Sequence, residues 1–167
     1  MSNPLIVVGV TSHQSSAVID QALVFARKFD ATLLCVHVDA SRFVVETRDD
    51  GTVVAAPYDP DAGEAIDEVM DPAIVERAGA QAAAASTLIE FLETAGDPAR
   101  TLGRIADERD AALIVVGARR ASLGGSIREF FARSVAANLT HRQTRPVVVV
   151  PVETVGPKDA LPWDEAR

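Results

Sequence analysis

Between Ala111 and Pro151 the chain runs from an apolar stretch, ALIVVG, through the basic loop ARRASLGGS and the amphipathic stretch IREFFARSVAANL, to a second apolar stretch, PVVVVPV. Short runs that are apolar at every position must bury both faces, as strands do inside a parallel sheet. Parallel neighbours need a crossover of a dozen or more residues, normally a helix, and the intervening segment supplies one. The unit also has a chemical consequence. A strand feeding a glycine loop into a helix N-terminus presents free backbone N–H groups and the positive end of the helix dipole to an anion held there.

The same grammar recurs upstream. Leu5 to Val10 is a fully apolar run, and Ser15 or Ser16 is placed to cap a helix in which Val18, Ala22, Phe25 and Ala26 recur at helical spacing up to Phe29. Thr32 to Val38 is the next buried strand, which completes a right-handed strand-helix-strand crossover. RFVVET and TVVAAP flank Arg48-Asp49-Asp50-Gly51, and the Asp-Gly pair predicts a hairpin or extended flap outside the main sheet, placed as a lid or toward a partner subunit. An acidic loop follows. Asp71-Pro72 starts a helix through AGAQAAAA, since proline suits the first helical position. Leu88 to Glu93 is read as a strand, a helix starts near Pro98, Leu113 to Val116 is a strand, Ile127 to His141 is the last helix, and Val147 to Val152 is the last strand.

Five strands alternating with helices predict an α/β domain with a doubly wound five-stranded parallel sheet. In the order 3-2-1-4-5 the direction of progression reverses between the first and fourth strands, and ligands of such sheets sit at the carboxyl ends of the strands beside the reversal. The loops meeting there run from Gly9 to His13 and from Gly117 to Ser126. We expect one domain over residues 1–152, with the hairpin and acidic loop as an insertion at about 40–70. Residues 153–167, which hold Pro157, Pro162 and Trp163, form a flexible tail.

Composition narrows the function. With 16 basic and 24 acidic residues the formal charge is -8, which excludes general attraction to nucleic acid or an anionic membrane surface. No apolar run reaches the roughly 20 residues that span a bilayer. The N-terminal MSNPLIVVGV lacks a basic leader, and Cys35 is a lone thiol; both fit a cytoplasmic, reducing compartment. Cys35 and His37 lie in apolar strand TLLCVHV and read as packed core residues. His13, His37 and His141 do not have metal-ligand spacing, so no metal site is expected.

No catalytic constellation is present either. The chain has no GxxxxGK[ST] loop, GxSxG elbow or GxGxxG after the first strand, and no grouping of nucleophile, base and orienting residue. The candidate nucleotide or anion contacts are Gly9, Val10 and Thr11 at the end of the first strand and Val38 at the end of the second. Gly117, Arg119, Arg120, Gly124, Gly125, Ser126, Arg133 and Ser134 join them from the glycine loop and last helix. Guanidinium groups are good phosphate partners, and Gly124-Gly125-Ser126 can offer backbone N–H groups.

The opening IVVGVTSHQSS, the turn and helix GDPARTLGRIA, the strand and loop IVVGARR and the ending RPVVVVPV together resemble the universal stress protein family, from about Pro4 to Val152. The resemblance implies an adenine-nucleotide alpha-hydrolase-like fold, dimerisation through the last strand (Val147, Val148, Val149 and Val150) and a role in surviving stress. It also implies ATP as the nucleotide, bound through glycine, two residues, glycine, nine residues, then glycine with Ser or Thr. Here Gly117 matches the first glycine, Arg120 stands at the second, and Arg133-Ser134 stands for the final pair three residues late. Thr11 replaces the aspartate that many members carry after the first strand.

Three readings follow. The first is a non-catalytic stress-response domain acting by homodimerisation and partner or ligand binding, with no certain cofactor. The second is an ATP binder with weak hydrolysis, and the third a sensor of another anionic, nucleotide-like ligand clamped by Arg119, Arg120 and Arg133.

Overall fold

The computed structural model describes residues 3–11, 16–49, 52–59, 69–118 and 134–152. The main sheet contains β1 (Leu5–Val10), β2 (Thr32–Asp39), β5 (Ile89–Ala95), β6 (Ala111–Ala118) and β7 (Val147–Pro151). All four pairings are parallel, and the order is β5-β2-β1-β6-β7. Set apart are β3 (Arg42–Thr47) and β4 (Val53–Pro57), an antiparallel pair. Omitting that pair from the count gives the expected 3-2-1-4-5.

Alternation along the strands divides the core in two. Ile6, Val8, Val10, Leu33, Cys35 and Val115 face α1 (Ala17–Phe29) and α2 (Pro72–Ala84). Val7, Leu34, Val36, Ile114 and Val116 face α3 (Pro98–Glu108) and α4 (Val135–Arg142). Ile6, Val7, Val8 and Ile114 are completely buried, and each such side chain contributes about 1.5–3 kcal/mol of hydrophobic stabilisation. Double-sided burial is the reason these strands read as continuous apolar runs.

Local sequence explains the helix ends. α2 and α3 both begin Asp-Pro: Asp71 accepts from the Ala73 N–H at 2.9 Å, and Asp97 from the Arg100 N–H at 2.7 Å. Proline at the first position lacks the N–H that would otherwise be left unpaired. Of the two serines expected to cap α1, Ser16 is itself right-handed helical and its side chain makes no capping hydrogen bond, while Ser15 lies outside the described residues. Asp30, Ser86 and Asp110 turn α1, α2 and α3 toward their next strands with φ near +50°, a conformation that stops a helix and that short polar side chains tolerate.

The last helix begins later than its periodicity predicts. Ser134 is extended (φ -81°, ψ 113°) and caps α4, its Oγ accepting from the Ala137 N–H at 3.3 Å. Helical spacing of apolar residues runs across this capping serine, so the pattern alone did not mark the start. The expected first part of that helix (Ile127, Phe130, Phe131) and the tail from 153 lie outside the described residues. The hairpin forms as expected, with a bulge between Val44 and Glu46. It packs against β5, so it sits at the far edge of the sheet from β6. No helix among the described residues is long and apolar enough to cross a membrane.

Gly9 sets how closely α3 approaches the sheet. A Cβ there would lie 2.8 Å from Leu102 Cδ1 and 3.1 Å from Val116 Cγ1. Around Gly79, in α2, nothing beyond its chain neighbours and its own helix backbone lies within 4 Å of the same position. In urea unfolding, Gly9→Ala should lose about 1–3 kcal/mol through overpacking, whereas Gly79→Ala should gain about 0.5–1 kcal/mol in helix propensity. Equal effects from the two changes would contradict this packing account.

Candidate functional site

From β1 the chain leaves to α1 on one face, while β6 is reached from α3 and followed by α4 on the other. The helices that follow these adjacent strands therefore lie on opposite faces of the sheet. The reversal of strand order between them is the usual position for a ligand in an open α/β sheet.

The predicted residues occupy distinct positions around it. Gly9 is half-buried beneath Leu102, and Val10 is 4% exposed with its side chain in the α1-facing core. Those two positions can offer a ligand backbone only. Thr11 is exposed just past the strand end. Val38 packs partly buried on the α3 side, next to the end of β2. Gly117 and Ala118 close β6, paired with Val150 and Pro151 of β7. Ser134 is 9% exposed at the start of α4, which packs on β6 and β7. Arg119, Arg120, Gly124, Gly125, Ser126 and Arg133, with His13, lie outside the described residues.

Ser134 has the most defined geometry of the set. Its Oγ is the acceptor in the cap, which leaves its hydroxyl hydrogen to donate. Its carbonyl accepts from the Asn138 backbone N–H at 3.0 Å and from Asn138 Nδ2 at 3.1 Å. The first N–H groups of a helix have no intrahelical acceptor, so this terminus offers donors and a positive dipole end to an anion. The carboxylate nearest the carboxyl end of β2 is otherwise engaged. Asp39, 5% exposed, accepts from both the backbone N–H and the hydroxyl of Ser41, at 2.8 and 2.6 Å, and so begins the turn into the hairpin. Sequence reading missed this turn, whose signal is the Asp-Ala-Ser spacing.

The opposite edge of the sheet is built for closure. Arg145 reaches Asp110 at 2.9 Å, the Ala111 carbonyl at 2.7 Å and Asp107 at 3.4 Å, and so joins the approach to β7 to the start of β6. The Asp110 hydrogen bond, with lesser help from Asp107, holds its guanidinium above the ordinary arginine pKa against the opposing effect of burial. A cleft of about 310 Å³ also opens on that edge, lined by Asn3, Arg27, Asp30, Ser86, Thr87 and Leu88. It lies away from the strand-order crevice and contains none of the predicted contacts. Burial pushes the Cys35 thiol up to about 12, so it stays protonated and unreactive at neutral pH.

These features define a doubly wound α/β domain whose strand order reverses between β1 and β6. The Universal stress protein family matches residues 4–151, and the chain belongs to that family. It is 29% identical over 156 residues to universal stress protein YxiE of Bacillus subtilis (strain 168), covering 90% of this chain and 99% of the relative. Among solved structures it resembles a universal stress protein in complex with cAMP, at 27% identity and a TM-score of 0.59, covering 92% of this chain and all of the other. A universal stress protein from Archaeoglobus fulgidus in complex with dAMP shares the fold, at 22% identity and a TM-score of 0.55, covering 90% of this chain and 99% of that one.

Removing the cap gives a direct check on Ser134. Ser134→Ala should lower unfolding stability by about 1 kcal/mol, while Ser134→Asp, which keeps an acceptor at the cap, should retain most of it. Equal losses in the two variants, read from chemical unfolding curves, would contradict the capping role.

Proposed function

We propose that this protein is a non-catalytic stress-response domain that binds an adenine nucleotide at the crevice between β1 and β6 and acts as a homodimer joined through β7. The observation that carries the ligand reading is Ser134. A nearly buried serine begins a helix on the flank of β6, with a hydroxyl hydrogen and helix N–H groups available to a phosphate. Gly117 and Thr11 stand at the carboxyl ends of the two strands beside it. The cAMP and dAMP complexes of the similar proteins support adenine nucleotides as the ligand class.

The departures at Thr11, Arg120 and Arg133 bear on which nucleotide is held. Thr11 brings a hydroxyl where a carboxylate would hold a metal or a ribose hydroxyl, so magnesium-dependent turnover loses a ligand. The arginines replace glycines that let backbone approach phosphate, but supply positive charge. A nucleotide with one phosphate needs fewer of the lost backbone contacts than ATP does. Binding without hydrolysis follows.

The dimer reading rests on β7. It is an outer strand of the sheet, and Val149 is 44% exposed on it. An exposed apolar edge strand is a hazard that pairing with a second copy removes. Val149→Lys should therefore shift the protein to a monomer in size-exclusion chromatography with light scattering; an unchanged dimer would place the interface elsewhere, and a monomeric parent would end the reading.

Titration calorimetry of the nucleotide-stripped protein with AMP, cAMP and magnesium-ATP tests the ligand. We expect heat of binding with a mononucleotide and no phosphate release from ATP. Gly117→Asp should weaken binding at least tenfold, roughly the least that juxtaposed like charges cost, and leave the dimer intact. No heat from any of the three with a folded dimer would refute the nucleotide reading. Steady phosphate release from ATP would replace it with weak hydrolysis.

A further inference from the structure

His37 lies near the carboxyl end of β2 and is 2% exposed, and its Nδ1 is buried without a hydrogen-bond partner among the described residues. Buried polar atoms are nearly always satisfied, so an exception calls for a physical reason. His37 follows Cys35 by two residues and shares its face, toward α1 and α2. In register beside it stand Val10 of β1 and Glu93 of β5, and strand neighbours are about 4.8 Å apart. Glu93 already has a task. Its Oε1 accepts the Met70 N–H at 2.8 Å, which ties the residue before the α2 cap to the edge strand.

The charges around the imidazole are unbalanced. On its own strand is Asp39, whose Oδ1 is taken by two Ser41 donors, along with the uncharged Cys35 thiol. β5 contributes Glu93, and β1 contributes no titratable group. α1 contributes Asp20, hydrogen-bonded to Gln81 of α2 at 3.0 Å. α2 carries Asp71 at its cap, with Glu76 and Arg77 exposed on its outer side. From the hairpin, Arg42 donates to the Ala55 carbonyl at 3.3 Å. The groups on the two strands nearest His37 that can bear charge are carboxylates.

We propose that His37 is an acid-sensitive latch controlling how firmly the start of α2 is tied to the sheet. In the neutral state Glu93 holds Met70. A proton taken from solvent by the imidazole creates a buried cation, which must be paired to be tolerated. Glu93 can pair with it by giving up a single hydrogen bond, whereas Asp39 is anchored by two. Glu93 turns to the imidazolium, the Met70 N–H loses its acceptor, and the entry to α2 loosens. Protonation of the imidazole is the event to which the device responds.

Hydrogen exchange at the Met70 amide, followed with the ring nitrogen shifts of His37 in the full chain, tests the latch. Exchange is corrected for the intrinsic effect of pH. Between about pH 7.5 and 5.5 the Met70 protection factor should fall at least about tenfold in step with the His37 ring, as expected for losing one hydrogen bond to a charged acceptor. Glu93→Gln alters an exposed side chain that retains an amide oxygen for Met70 but offers the imidazolium no charge, so protection there should not respond to pH. His37→Gln should likewise be unresponsive. A His37 ring that stays neutral at the lower pH, constant Met70 protection in the parent, or the same loss in Glu93→Gln would each overturn the proposal.

Discussion

Burial of β1 on both faces is the constraint on which the rest of the structure depends. Ile6 and Val8 need cover on one side and Val7 on the other, so helices must lie on both faces of the sheet. The chain then leaves β1 toward one layer and approaches β6 from the opposite layer. Helix layers on both faces, and the reversal of strand order between β1 and β6 that goes with them, are therefore tied to core formation. Gly9 belongs to the same constraint, since α3 can settle on the sheet only where no Cβ meets Leu102.

The two edges of the sheet divide the chemistry between them. At the amino ends, three polar residues in the left-handed conformation turn helices into strands, and Arg145 fastens the approach to β7. At the carboxyl ends, groups with hydrogen-bonding capacity gather: Thr11, His37, Asp39, Glu93 and Ser134. Some of these are occupied by the fold itself, as Asp39 is by the hairpin turn. Ser134 caps a helix and keeps a hydrogen to donate, which is the basis of the recognition role proposed for it. The hairpin rests on β5, which leaves the β1–β6 crevice clear of it among the described residues.

Much of this was legible in the sequence because the signals were local. Apolar runs at Leu5–Val10 and Thr32–Val38 marked two buried strands and that at Val147–Val152 the edge strand, and the Asp-Pro pairs at 71–72 and 97–98 marked two helix starts through capping chemistry. Alternation gave the doubly wound class, and the order 3-2-1-4-5 taken with it is the one the sheet has. What was not legible depended on contacts distant in sequence. The steric role of Gly9 needs α3 in place, Arg145 has partners more than thirty residues earlier, and the seat of the hairpin is set by β5. The start of α4 was hidden for another reason, since apolar periodicity continues through Ser134 and only backbone conformation reveals the cap.

The central claim is a nucleotide site between β1 and β6. Mapping amide chemical-shift changes on addition of AMP to the nucleotide-free, isotope-labelled protein would test it most directly. The account predicts the largest changes at Thr11, Gly117, Ala118 and Ser134, with the amino-end cleft around Asp30 and Ser86 unaffected. Changes centred on that cleft, or none at saturating AMP, would contradict it.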